Sequence, residues 1–473
     1  MVYRFKNNGY NIVMDVAGGG IHVVDDIVYD MTAALEEYSK TSAIRTVIDE
    51  DEVRAVPFED VRDYLKDHLG SYDEADIAEA YEEVAYLIEQ QSLFTDDDYS
   101  DQLAAMQKRE NVVKALCLHV AHDCNLACTY CFAGKGEYHG NRELMSAGTG
   151  KKALDFLVRA SKGRRNLEVD FFGGEPLMNF DVVKELVAYG RSLEEEFGKK
   201  FRFTLTTNGV LLDDDILDFV NKEMSNLVLS IDGRKSVHDR MRPRIGGQGS
   251  YDLILPKFLK AAASRGQMNY YVRGTYTHYN TDFAQDVMHL ADLGFEQISV
   301  EPVVAPKEEG YAITEDDVDR LCEQYDILAK YLLERKKRGK PVNFFHFMID
   351  LTGGPCISKR LTGCGSGTEY LAVAPNGDLY PCHQFVGMDD FLMGNVDEGV
   401  TNTALAEKFS AVNVYSKKEC RSCFAKYYCS GGCAANAYNF TGDINGVYDI
   451  GCRLQKKRVE CAIMMKAAES DSL

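Results

Sequence analysis

Between residues 112 and 305, short apolar runs alternate with amphipathic stretches. The runs at 115–120, 167–172, 203–206, 227–231, 270–276 and 297–300 read as apolar strands. Apolar residues recur at helical spacing between them, so the region reads as successive βα units on a parallel sheet. Six strands are too few for a closed eightfold barrel. The expected fold class is therefore α/β, a partial (β/α)6 TIM-type barrel with its site at the C-terminal ends of the strands.

The flanks differ. Residues 9–13 and 21–28 are β-rich and flank Gly18-Gly19-Gly20, which predicts a hairpin. Residues 71–91 carry helical periodicity after an acidic start, and the polar run 96–101 reads as linker. The expected organisation is a small module over 1–95, a linker over 96–111, the barrel over 112–305, a helical bridge over 306–350 and a Gly- and Cys-rich segment over 351–473. A turn is expected at Pro375-Asn376-Gly377-Asp378. That last segment promises little core, so metal clusters would supply the missing stability.

A chain of 473 residues exceeds one ordinary core and should form two or three domains. Acidic side chains outnumber basic ones 74 to 53, a net charge of -21, which argues against a general grip on nucleic acid or anionic lipid. No export signal and no window of ~20 apolar residues is visible, so a cytoplasmic protein without a membrane partner is expected. Fourteen cysteines in such a chain point to metal or redox chemistry rather than disulfides. Apart from Cys117, Cys322 and Cys461, they gather in one triplet near residue 130 and one set between 356 and 452.

The triplet Cys124-x3-Cys128-x2-Cys131 follows the first barrel strand directly. A four-iron cluster normally takes four thiolates; three leave one iron free to chelate a small molecule with amino and carboxylate groups. Zinc, with His119 or His122 as fourth ligand, is the bland alternative. With an aromatic residue before its third cysteine, the triplet resembles the signature of the radical S-adenosylmethionine superfamily. That resemblance implies a 4Fe-4S cluster on Cys124, Cys128 and Cys131, S-adenosylmethionine on the open iron and a 5'-deoxyadenosyl radical as product. Further strand-end features resemble the same family. Gly173 and Gly174 permit close backbone approach to a ligand, and Glu175 can hold an amino group. Thr207 and Asn208 end the third strand, Ser230 and Asp232 the fourth, and Arg273 on the fifth can pair with the cofactor carboxylate. Singly each has an ordinary explanation: a tight turn, a turn dipeptide or a helix cap.

Cys420-x2-Cys423-x5-Cys429-x3-Cys433, followed by Cys452 and preceded by Cys364 and Cys382, resembles the SPASM domain of radical enzymes that modify peptides. The resemblance implies two auxiliary 4Fe-4S clusters, three clusters in all. Cys364, Cys382 and Cys433 would hold the first auxiliary cluster, with Cys356 either a fourth ligand or a bystander, and Cys420, Cys423, Cys429 and Cys452 the second. A pair of zinc ribbons is the alternative.

Over nearly its whole length the chain resembles the maturases of six-cysteine peptides called SCIFF. The residues that carry this are Gly9-Tyr10-Asn11-Ile12-Val13, Ile21-His22-Val23-Val24-Asp25, Gly363-Cys364-Gly365-Ser366-Gly367-Thr368-Glu369-Tyr370 and Tyr380-Pro381-Cys382-His383-Gln384-Phe385. The resemblance implies that residues 1–95 are a winged-helix-like element that binds the leader of a small Cys-rich precursor peptide by strand addition. It also implies thioether formation between a cysteine sulfur and a carbon, with an electron donor such as a flavodoxin or ferredoxin. A merely structural cap is the alternative for the module. The rival enzyme reading is a sulfatase-type maturase making formylglycine; that family has an Asp as base where this chain has His383. A zinc-bearing scaffold is the non-catalytic reading.

Overall fold

The six apolar runs of the barrel region all form strands: β6 (Ala115–Ala121), β7 (Asn166–Gly173), β8 (Lys200–Thr207), β9 (Asn226–Ser230), β10 (Tyr270–Tyr276) and β11 (Gln297–Pro302), preceded in the chain by β1 to β5 of the N-terminal module. The computed structural model describes residues 1–48, 52–97, 99, 103, 112–134, 136–138, 140, 142–351 and 357–470. Neighbouring barrel strands pair in parallel in chain order. One face of these strands is uniformly apolar: Leu116, Leu118 and Val120 of β6, and Leu167, Val169 and Phe171 of β7, are fully buried, while the other face carries polar side chains such as Glu168, Asp170, Thr204 and Arg273.

The sheet is longer than six strands. The two-residue strand β12 (Asn343–Phe344) extends it beyond β11. On the other side β13 (Tyr370–Val373) pairs in parallel with β6. Beyond β13, β14 (Asp378–Tyr380), β15 (Gly394–Asn395) and β16 (Gly399–Val400) continue it in antiparallel order. The result is an open, eleven-stranded, mostly parallel sheet. The expectation of little core after residue 350 is corrected by the same continuity: Phe385, Phe391, Phe409, Val414 and Phe424 are buried in one cluster with the barrel core. The turn at Pro375-Asn376-Gly377-Asp378 forms between β13 and β14, with Gly377 at φ +96°.

The N-terminal hairpin is in fact a three-stranded antiparallel sheet, β1 (Val2–Asn7), β2 (Tyr10–Asp15) and β3 (Ile21–Val24), with β2 central. A short hairpin, β4 (Arg45–Val47) and β5 (Val53–Ala55), also escaped the hydrophobic pattern. The chain turns helical at Asp26 because Asp25 caps the helix Asp26–Tyr38, its carboxylate accepting from the Val28 amide at 2.9 Å. The predicted helix over 71–91 spans Glu74–Glu89. Strand alternation feeds two cores: Val2 and Val13 join the module's own helices, while Phe5, Ile12 and Met14 join the main core. Tyr3 fixes the junction, stacked on Phe424 with ring centroids 3.6 Å apart and donating to Glu460 at 2.5 Å. Among the described residues no helix is long and apolar enough to cross a membrane.

Tyr3→Ala removes both the stack and the hydrogen bond, and large-to-small changes at such sites cost about 3–5 kcal/mol when fully buried. A loss of ~2–3 kcal/mol is expected in chemical denaturation for this half-buried ring; an unchanged midpoint would show that the junction contributes nothing.

Candidate active site

The cysteine loop leaves β6 at Ala121 and is tied down on two sides. On one, Gly174 N donates to Ala121 O at 2.8 Å and Glu175 N to Asp123 O at 2.9 Å. On the other, Ala127 N donates to Pro243 O and Thr129 N to Met241 O, both at 2.9 Å. The glycines are required by the first contact. A Cβ on Gly173, whose φ is +132°, would stand 2.3 Å from Ala121 O, and one on Gly174 would stand 2.2 Å from Asp123 O. Their missing side chains admit the cysteine loop rather than serving a ligand alone.

Cys124, Cys128 and Cys131 line a cavity of about 540 Å³, together with Gly173, Gly174, Glu175, Thr207, Asn208, Ser230, Arg273 and His383. Among the described residues no group of three or more His, Cys, Asp or Glu converges to hold a single metal ion. The three thiols instead share a cavity wall, which suits a multi-iron cluster with one face open to the chamber. Burial pushes Cys124 up to about 12 and Cys128 up to about 11, and raises Cys131 as well. Such thiols stay protonated until a metal displaces the proton.

Glu175 is almost fully buried. Its carboxylate accepts from Leu177 N at 3.0 Å, Thr207 Oγ1 at 2.8 Å and Asn208 N at 2.8 Å. Burial outweighs these bonds and pushes the carboxyl up to about 7. Asn208 Nδ2 lies 3.7 Å from Cys124 Sγ and donates to Asn125 Oδ1 at 2.7 Å. Arg273 is exposed on β10 and pairs with Glu301 of β11 at 2.6 Å.

Asp232, expected at the cofactor, lies fully buried and already engaged. Its carboxylate pairs with Arg242 Nε at 3.0 Å and accepts from the Tyr130 hydroxyl at 2.7 Å and the Thr275 amide at 2.9 Å. Arg242 and the Tyr130 hydroxyl were missed from the sequence. Tyr130 sits inside the cysteine triplet, so this network braces the loop from beneath. The available signal was Asp232 itself: a carboxylate at a strand end needs a cation when buried, and Arg240, Arg242 and Arg244 follow eight to twelve residues later.

The C-terminal thiols fall into two groups by mutual influence. Charge on Cys433 or Cys364 raises Cys382, which burial itself pushes up to about 12. Charge on Cys452, Cys420 or Cys423 raises Cys429, again about 12 mainly through burial. Cys429, Cys433 and Cys452 line the same cavity as the first triplet. Cys356 lies outside the described residues. His383 stands between Phe132 and Phe172, at ring distances of 5.6 and 5.2 Å, and burial pulls it down to about 4, so it is neutral near pH 7.

Glu175 makes stability depend on pH. A carboxyl raised in the folded state binds its proton more tightly than the unfolded chain does, so its contribution is full below about pH 4.3 and is lost as pH rises through about 7. Urea titrations of metal-free protein across that window should show a steeper fall than for Glu175→Gln; equal slopes would refute the assignment. Asp232→Asn leaves Arg242 buried without its counter-charge and should cost about 3–5 kcal/mol, whereas Asp232→Leu combined with Arg242→Met should recover much of it. A combined variant no better than the single one would show that packing, not charge, is at stake.

Family models match two parts of the chain: the radical SAM superfamily over residues 118–294, and SPASM, an iron-sulfur cluster-binding domain, over residues 364–424. The chain is 24% identical over 334 residues to the cysteine-type anaerobic sulfatase-maturating enzyme of Clostridium novyi (strain NT), a match covering 66% of this chain and 86% of that protein. The fold is similar to native anSMEcpe with bound AdoMet, with TM-score 0.63 and 18% identity, covering 76% of this chain and 100% of that one. It is also similar to Streptococcus suis SuiB bound to precursor peptide SuiA, with TM-score 0.51 and 15% identity, covering 93% of this chain and 96% of that one. The chain thus carries a domain of the radical SAM superfamily, followed by an iron-sulfur cluster-binding SPASM domain.

Proposed function

We propose that this protein is a radical S-adenosylmethionine enzyme that forms thioether cross-links in a ribosomally made, Cys-rich precursor peptide. The observation that carries the reading is the shared chamber: Cys124, Cys128 and Cys131 line one cavity with Cys429, Cys433 and Cys452. When bound, a 4Fe-4S cluster on the first triplet with S-adenosylmethionine supplies a 5'-deoxyadenosyl radical. Glu175, fixed by Thr207 and Asn208, presents a carboxylate for the methionyl amino group, and Ser230 and Arg273 offer a hydroxyl and a cation to the remaining polar groups. Asp232 acts at one remove, holding Arg242 and Tyr130 and so the shape of the loop.

Cys364, Cys382 and Cys433 would hold one auxiliary cluster and Cys420, Cys423, Cys429 and Cys452 the other. Three thiolates leave a coordination position for Cys356 or for a substrate cysteine, whose sulfur would then be deprotonated and placed. Joining a carbon to that sulfur at the expense of C–H and S–H releases a hydrogen atom, a proton and an electron. The hydrogen atom leaves as 5'-deoxyadenosine. His383, kept neutral by burial, stands where the sulfatase-type family has its Asp base and can itself accept a proton, so this position does not separate the two readings.

The N-terminal module supports peptide recognition. β3 is an edge strand, and Val23 on it is exposed; an extended leader can add there through main-chain hydrogen bonds. The similarity to SuiB, a protein seen with its precursor peptide, extends into this module. A flavodoxin or ferredoxin would supply the initiating electron. Formylglycine formation is the second reading, favoured by the relatedness to the sulfatase-maturating enzyme of C. novyi.

Co-expression with a small Cys-rich peptide encoded beside the gene, followed by mass spectrometry, separates the readings. Loss of one hydrogen pair per bridge, with thiols no longer alkylatable, is expected. A formylglycine aldehyde would establish the rival, and an unmodified peptide would overturn both. Cys433→Ala should abolish cross-linking while leaving reductive release of 5'-deoxyadenosine intact.

A further inference from the structure

Two lysines of the C-terminal region are buried, Lys417 at 2% and Lys426 at 3% exposure. Lys426 has a counter-ion, the carboxylate of Asp97. Lys417 has none at ion-pair distance among the described residues; its ammonium donates to the carbonyl of Gly446 at 2.9 Å. The position is built. Ser416 Oγ donates to Asn445 Oδ1 at 2.7 Å and Asn445 Nδ2 donates back to Ser416 O at 3.1 Å, so the strap carrying Lys417 is fastened to the turn carrying Gly446. The carbonyl of Lys417 accepts from the Cys420 amide at 3.2 Å.

Burying an ammonium without compensation costs several kcal/mol, so the structure calls for negative charge nearby. Burial pulls the Lys417 ammonium below its ordinary value, and thiolate charge on Cys420, Cys429 and Cys452 from one cysteine set and on Cys433 from the other opposes that fall. Lys417 also lines the main cavity beside Cys429, Cys433 and Cys452. The charged side chains that act on the same thiols from outside, Glu419, Asp449 and Lys456, belong to the surface rather than to the interior.

We propose that Lys417 is the shared counter-charge of the two iron-sulfur clusters held by the C-terminal cysteine sets, and that it raises their reduction potentials. The inference rests on the cluster assignment of the preceding section. A thiolate-ligated cluster carries net negative charge, and reduction adds one more. A fixed cation in a low-dielectric site therefore stabilises the reduced form more than the oxidised form. The electron left over when C–H and S–H become C–S then has an acceptor whose poise this chain sets with one side chain.

The test uses full-length protein carrying Cys124→Ala, Cys128→Ala and Cys131→Ala, reconstituted with iron and sulfide, so that only the C-terminal sets bind clusters. Midpoint potentials are read by redox titration followed by electron paramagnetic resonance. Lys417→Gln should keep its iron and lower the reduced-to-oxidised ratio at a fixed poise at least tenfold, about 59 mV for a one-electron couple, while Lys417→Arg should stay near the parent. Unchanged potentials with full iron would overturn the inference. If Lys417→Gln loses iron while Lys417→Arg retains it, the charge is needed to hold the clusters at all, and the electrostatic claim stands. Loss of iron in both would reduce Lys417 to a packing role and end the proposal. A parent protein that takes up no iron in this background would sink the cluster assignment instead.

Discussion

The site depends on one backbone contact, the approach of the β7 end to the cysteine loop. Two amides, Gly174 and Glu175, reach the carbonyls of Ala121 and Asp123 at 2.8 and 2.9 Å, a distance that any Cβ at Gly173 or Gly174 would prevent. This contact orders the loop that bears three thiols and, in the same turn, delivers the carboxylate of Glu175 to their cavity. The pair Asp232–Arg242 completes the support from the opposite side through Tyr130. Cysteine spacing alone would leave the thiols on a free loop; these constraints turn it into a preorganised wall.

The second constraint is the continuity of the sheet. Because β13 pairs with β6 and β14 with β13, the strand leading into Cys382 lies two places along the sheet from the strand leading into Cys124. Two Cys-rich segments more than two hundred residues apart in sequence thereby share one chamber. Fold similarity to anSMEcpe and SuiB is consistent with this arrangement being a property of the scaffold, with the chemistry left to the residues around it.

The barrel strands were legible because one face of each is uniformly apolar over a strand's length, even where the other face carries Glu168, Asp170 or Arg273. β1 was not: Val2–Asn7 mixes Tyr, Arg and Lys with apolar residues, since each face meets a different neighbour. β12, β15 and β16 have two residues each, too few for any periodicity. The thiols could be found because spacing is local. Lys417 could not, because its role arises only when distant segments are brought together, and Asp232 narrowed its partner only to three arginines, of which the fold selects Arg242. The immediate neighbour of Gly173 and Gly174 is backbone, a reason for glycine that their local sequence does not disclose.

The seating of the N-terminal module has a geometric consequence. Its sheet shares one face with the main core and is pinned through Tyr3 on Phe424, the residue that follows Cys423. The edge strand β3 and the cavity are therefore joined through this packed interface. A peptide anchored by its leader on β3 would reach the chamber only through the stretch of chain beyond the anchor, and the length of that stretch would decide which residue arrives. The fold would then act as a ruler, selecting the site of modification by distance along the peptide before any side chain is read.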